Sequence, residues 1–241
     1  MRLVLFKPLY YFSMTVFIAV ILTYFFSPKW SIVMALSLFV IWSRVPGFAN
    51  FILNKMAVND LFTFIVAANL GGGVGAIFGI VGTMFARIFG PYEWFPYTLR
   101  ATISVTIAAL ATPSIIAYTG GAGWEAFIFF EIIYYVIFYL LVIIFSRDEL
   151  GLEIALIPAV IFFDFFMNNL LLTVFGDTIT NMMTNGITNG WPIVIFVGIM
   201  LGFWTAAKNS DKIASKFYKF KEKLGISENV YLQKIERFLQ N

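Results

Sequence analysis

Residues Trp124–Phe145 read WEAFIFFEIIYYVIFYLLVIIF, twenty-two positions without a lysine, arginine, proline or glycine. A helix that crosses a hydrocarbon core of about 30 Å needs roughly 20 mostly apolar residues. Inside lipid its backbone polar groups must be satisfied within the segment, which selects the α-helix for such a run. The stretch therefore places the chain among all-α membrane proteins. Composition agrees: of 241 residues, 61% are hydrophobic and 12% are charged, about half the charged share of an ordinary soluble domain. Aromatic residues make up 19%, including 29 Phe, a mix suited to lipid contact and close packing.

Six further apolar segments lie around this one: Tyr10–Ser27, Trp30–Trp42, Leu61–Ile88, Ala101–Tyr118, Ile154–Phe175 and Trp191–Ala207. The run after Arg2 and Lys7 has the outline of a signal peptide but no small-residue cleavage site, so it reads as a retained first helix. The segment Trp30–Trp42 is short for a full span. The segment Leu61–Ile88 is long and carries Gly71, Gly72, Gly73 and Gly75 in its middle, which predicts a break or re-entrant turn. Such backbone is tolerated at membrane depth only where protein or a water-filled cavity surrounds it.

Positive charge sets orientation. Lys208, Lys212, Lys216, Lys219, Lys221 and Lys223 follow the last segment and predict a cytoplasmic C-terminus. Counting backwards, the loops Gly176–Gly190 and Gly120–Gly123, which lack Lys and Arg, fall outside. The loops holding Arg147, and Arg87 with Arg100, fall inside. Seven simple spans would leave Arg2, Lys7, Arg44 and Lys55 outside. The conflict disappears if an early segment does not cross, or if Leu61–Ile88 crosses twice. The expectation is a polytopic transmembrane bundle of six to eight helices over residues 1–207, with both ends inside, in the cell membrane. Trp124 and Trp191 at outer helix ends, and Trp42 and Trp204 at inner ones, read as belt anchors. Residues 208–241 form a basic tail in which Ile213, Phe217, Phe220 and Leu224 share a helix face, the pattern of a surface-lying amphipathic helix.

The chain has no Cys and no His, which excludes thiol chemistry, disulfides, Cys/His metal sites and a histidine base. No metal and no cofactor is expected, and no enzymatic activity. Charged and amide groups inside the membrane are the informative residues. Glu131 lies about 10 Å from the outer end of its helix, with Tyr134 and Tyr135 at i+3 and i+4. Asp164 and Asn168 form an i,i+4 pair on the next segment, with Asn169 adjacent. The two segments should run antiparallel, placing Glu131, Tyr135, Asp164 and Asn168 at similar depth. Two readings follow: a ligand-binding polar pocket open to the outside, or groups that satisfy one another in a packed bundle. Gly75, Gly79, Gly82, Thr83 and Ala86, and then Ser104, Ala108 and Thr112, make small-residue faces, for internal packing or for docking another membrane subunit. Lys55, Asn59 and Asp60 read as an interfacial helix. Arg87, Glu93 and Arg100 bracket a loop that reads as solvated, or as a contact for a cytoplasmic partner.

The stretches GGGVGAIFGIVGTMFARIFGP, YEWFPYT and LRATISVTIAALA, within Ala67–Ile116, resemble the centre of the substrate-binding S components of energy-coupling factor vitamin transporters. The rod-shape protein MreD, of related fold, has a similar look. The resemblance implies a six-helix bundle, a pocket near the outer face and dependence on a partner complex with ATPases, and it transfers no binding residue. The chain departs from that family in its first helix, which has Ala19 but no paired alanines, and in its basic tail. The functional expectation is a small-solute binding or transport subunit of a membrane complex; the alternative is a structural scaffold that organises partner subunits. The expected partners are the lipid bilayer, other membrane subunits and a small solute, with no nucleic acid.

Overall fold

The structure, a computed structural model, describes residues 6–43, 58–89 and 95–186, with isolated positions 198, 201, 202 and 205. Trp191, Trp204, Lys55, Glu93 and the basic tail lie outside the described residues. The chain divides into two compact units, one of Met1–Met14 with Asn189–Asn241 and one of Thr15–Thr188.

Among the described residues all regular structure is helical: α1 (Phe6–Tyr24), α2 (Pro28–Ser43), α3 (Asn59–Leu70), α4 (Gly72–Phe89), α5 (Phe95–Thr119) and α6 (Trp124–Phe145). After a 3₁₀ turn at Arg147–Glu149 come α7 (Leu150–Ala155), α8 (Ile157–Val160), a π-helical turn at Ile161–Met167 and α9 (Asn168–Asn185). The last three join into one rod, Ile157–Asn185. Pro96–Thr119, Trp124–Phe145 and Ile157–Asn185 are long and apolar enough to cross a membrane.

On α6 the buried residues Phe127, Phe130, Glu131, Tyr134, Phe138 and Val142 recur at helical spacing. The opposite face is Phe129, Ile132, Val136, Leu140 and Ile143, all large, apolar and exposed. A helix on a water-soluble bundle carries polar groups there. The rod repeats the pattern with Phe162, Phe166, Leu170 and Val174 exposed at intervals of one turn.

The break in the glycine-rich stretch falls at Gly71 alone, whose φ of +93° is the left-handed region that glycine enters without strain. Gly72 and Gly73, expected to be part of an irregular turn, are instead the first residues of α4. The chain reverses at Gly71. Gly75 then lies against Ala67, Gly79 against Thr63 and Gly82 against Asn59, so α3 and α4 form an antiparallel hairpin. A Cβ built on Gly75 would stand 2.4 Å from the Ala67 Cβ and 2.7 Å from its Cα, a close backbone approach, and one on Gly82 would stand 2.4 Å from the Asn59 side-chain oxygen. Gly72 is placed similarly against the Ala109 carbonyl of α5, where a Cβ would stand at 2.8 Å. That carbonyl lacks its usual helical donor, because residue 113 is proline. Ser104, Ala108 and Thr112 of α5 are fully buried. The small-residue stripes are therefore covered within the chain.

Two sequence boundaries move, and one interfacial tryptophan does. The stretch from Gly176, expected to open a loop, stays helical to Asn185, because Leu172, Gly176, Ile179 and Met183 continue the buried stripe. Thr184 and Asn185 close local side-chain bonds to Thr180 and Asn181 instead of seeking water. Helix α5 begins at Phe95 and takes Arg100 into its second turn. Trp42, expected at the inner interface, is 5% exposed and belongs to the interior, whereas Trp124 is 56% exposed at the start of α6 as a belt anchor would be.

Candidate functional site: a polar layer between three helices

Phe64 of α3 meets Phe127 and Phe130 of α6 edge-on, with ring centroids 5.4 and 5.7 Å apart. That aromatic contact fixes α3 against α6. It sets the α3 turn holding Asn59, Asp60 and Thr63 beside the α6 turn holding Glu131 and Tyr134. Asp60 is within electrostatic range of Glu131, Tyr134 and Tyr135. The expected interfacial helix around Asn59 is corrected here. Asn59 is buried and donates to Thr83 of α4 at 3.0 Å, because the Gly82 backbone leaves room for its side chain.

The rod meets α6 on the other side. The Tyr135 hydroxyl donates to Asp164, and the Tyr135 ring stacks on Phe165 at 5.9 Å. Trp124 and Thr173 line one groove farther out, so α6 and the rod run antiparallel and Glu131 is level with Asn168, as the helical register predicts. Asp164 and Asn168 are buried, and both sit at the π-helical turn or directly after it. A π turn adds a residue to the local repeat and so re-aims the side chains beyond it. No sequence pattern distinguishes Ile161–Met167 from ordinary helix, so this turn was not legible in advance.

The four residues singled out from sequence thus occupy one layer, in unequal states. Tyr135 and Asp164 are bonded to each other. Asn168 is 3% exposed. Glu131 is fully buried, and neither of its carboxylate oxygens has a hydrogen-bond partner among the described residues. The layer is closed, not an open outer pocket. A shallow, open groove of about 250 Å³ lies next to it, lined by Trp124, Phe165, Phe166, Asn169, Leu170 and Thr173. The Phe165 ring stands between that groove and Tyr135. Asp60 and Thr63 were missed because a polar pair at the head of an apolar run reads as a helix end. Thr63 is buried and Asp60 half-buried, which follows only from the hairpin at Gly71.

A second charged cluster lies toward the other end of α6. Arg87 sits over the Tyr97 ring at 4.4 Å, and Arg100 approaches Tyr97 and Phe138 at 5.5 and 5.7 Å. Arg100 is 2% exposed and donates to Glu149 at 2.5 Å. This guanidinium is thus not part of a solvated loop: the added turns of α5 carry it under α6. Among the described residues no three acidic groups are grouped to share an ion.

No family model, curated protein or solved structure matches the chain.

Proposed function

We propose that the chain is a membrane-embedded subunit that binds or transports a small solute within a larger membrane complex. The observation that carries this reading is Glu131: a carboxyl group sealed in an apolar helix bundle, with neither oxygen hydrogen-bonded among the described residues, and within electrostatic range of Asp60 and Asp164 on two other helices. An ionisable residue at a helix centre costs about 2.5–3.5 kcal/mol on insertion scales. A purely structural core would fill this place with an apolar side chain of similar volume. An open groove lies beside the layer, with the Phe165 ring between it and Tyr135. In its specific form the subunit is an S component of an energy-coupling factor transporter, and co-purification with ATPase subunits tests that form. Native mass spectrometry of the protein purified from its own membrane tests the general one. A bound solute is expected in the wild type and absent from Glu131→Gln and Asp164→Asn, with helix content unchanged. A solute retained by both variants, or none in the wild type, removes the reading.

The closure of the layer supports a second reading, a scaffold that organises partner subunits. Tyr135 and Asp164 satisfy one another, and Asn168 is buried. On that reading the same two variants change thermal stability and nothing else. In either case we place the chain in the cell membrane as a multi-pass protein with its C-terminus in the cytoplasm, on the strength of the lysines after Ala207.

A further inference from the structure

We propose that Glu131 holds a monovalent cation in the core of the bundle, as the ion bound together with the solute; this rests on the solute-binding reading above. Glu131 is 0% exposed and its Oε1 and Oε2 have no hydrogen-bond partner among the described residues. Thr63, also fully buried and three residues after Asp60 on α3, has an unpartnered Oγ1. The Asn59 carbonyl oxygen is unpartnered too, but its contact is the Gly82 backbone. What the layer lacks is therefore positive charge and donors, not acceptors.

The surrounding groups do not supply it. The charged groups acting on Glu131 are Asp60 from α3 and Asp164 from the π turn, both acidic. On its own helix, Tyr134 and Tyr135 are phenols, and the Tyr135 hydroxyl is committed to Asp164. Arg87 of α4 and Tyr97 of α5 act on Tyr134, one turn away, and the Arg87 guanidinium is held over the Tyr97 ring. An isolated carboxyl group in so apolar a setting either keeps its proton or takes a partner of opposite charge, and the salt dependence below distinguishes the two. The size of that charge follows from the same geometry. Divalent ions of the calcium and magnesium kind take 6–8 or six oxygen ligands, usually including more than one carboxylate. No three acidic groups among the described residues are arranged to share an ion, and Asp164 is taken up by Tyr135, so the site offers Glu131 with neutral oxygens, which matches a single positive charge. Alkali metal ions and the ammonium ion share this chemistry.

The test is the melting temperature of the purified full chain in detergent, at fixed pH and ionic strength, in sodium, potassium or ammonium chloride against choline chloride. Saturable stabilisation of about 2–4 °C or more by at least one of the three is expected. The stabilising salt identifies a metal ion or ammonium as the occupant. The shift should vanish in Glu131→Gln and shrink in Thr63→Val. Four salts indistinguishable in the wild type overturn the proposal, whether or not the variants fold. So does a shift that persists in Glu131→Gln, or a response confined to magnesium or calcium. Mass spectrometry on the same samples separates the two ideas. A bound solute without a salt effect sinks the cation alone, and a salt effect without a bound solute sinks the solute-binding reading.

Discussion

At the scale of the residue, neighbouring glycines in one run have opposite roles. A Cβ on Gly75 would meet Ala67 at 2.4 Å, while one on Gly73 would meet nothing within 4 Å. Gly75→Ala is therefore expected to destabilise the protein by about 1–3 kcal/mol, the usual range for overpacking a close contact. Gly73→Ala is expected to be neutral or to stabilise by up to about 1 kcal/mol through helix propensity. Thermal unfolding of the two variants in one detergent checks the contrast, and equal effects would contradict the hairpin contact. The Arg100–Glu149 pair gives a second prediction. Arg100 is 2% exposed and Glu149 is 38% exposed, so the cost of separating them falls on the arginine. Glu149→Gln should cost about 1–3 kcal/mol by leaving a buried guanidinium under-satisfied. Combining it with Arg100→Met should cost less than the sum of the single changes, as a double-mutant cycle would reveal.

At the scale of the element, α6 has one face for the chain and one for its surroundings. Leu140 is exposed on the outer stripe, whereas Phe138 is buried two residues away. If that stripe faces lipid, Leu140→Lys near the helix interior should lower membrane insertion by about 2.5–3.5 kcal/mol, less where the lysine reaches the headgroups. The same substitution on a water-facing helix would be nearly silent. The fraction of chains inserted and resistant to alkaline extraction measures the difference. The rod Ile157–Asn185 shows what an element adds to its residues. Its π turn sets where Asp164 points, and Tyr135 meets it there. Tyr135→Phe should therefore loosen the rod from α6 and cost about 1–3 kcal/mol by leaving the buried Asp164 without its phenol donor.

At the scale of the whole molecule, the open matter is which side of the membrane each end occupies. The six lysines between Lys208 and Lys223 predict a cytoplasmic tail. A single cysteine placed at Ser227 should resist an impermeant thiol reagent in intact cells and react once the membrane is permeabilised. Labelling in intact cells would invert the topology. The hairpin bears on the same question. Helix α3 has 12 residues, about 18 Å of helix, well short of a hydrocarbon core. The pair α3–α4 thus accounts for the excess length of Leu61–Ile88, as a segment folded back on itself at Gly71.

The sequence by itself determined the class of structure and the depth of the main polar groups. Hydrophobic runs longer than twenty residues permit little but helix in an apolar medium, and a helical repeat shared by antiparallel neighbours puts Glu131 level with Asn168 whatever the packing detail. It also marked Gly71–Gly75 as the place where a helix must fail. Only the tertiary structure decided which glycine turns, that Asp60 comes within electrostatic range of Glu131, that the four site residues form a closed layer, and that Arg100 is buried. Each of these depends on a contact between positions far apart in the chain. Asp60 reaches Glu131 because Gly75, Gly79 and Gly82 let α4 lie backbone-close on α3, and because Phe64 then fits between Phe127 and Phe130. Periodicity records which face of a helix is buried; it carries no record of the partner that buries it.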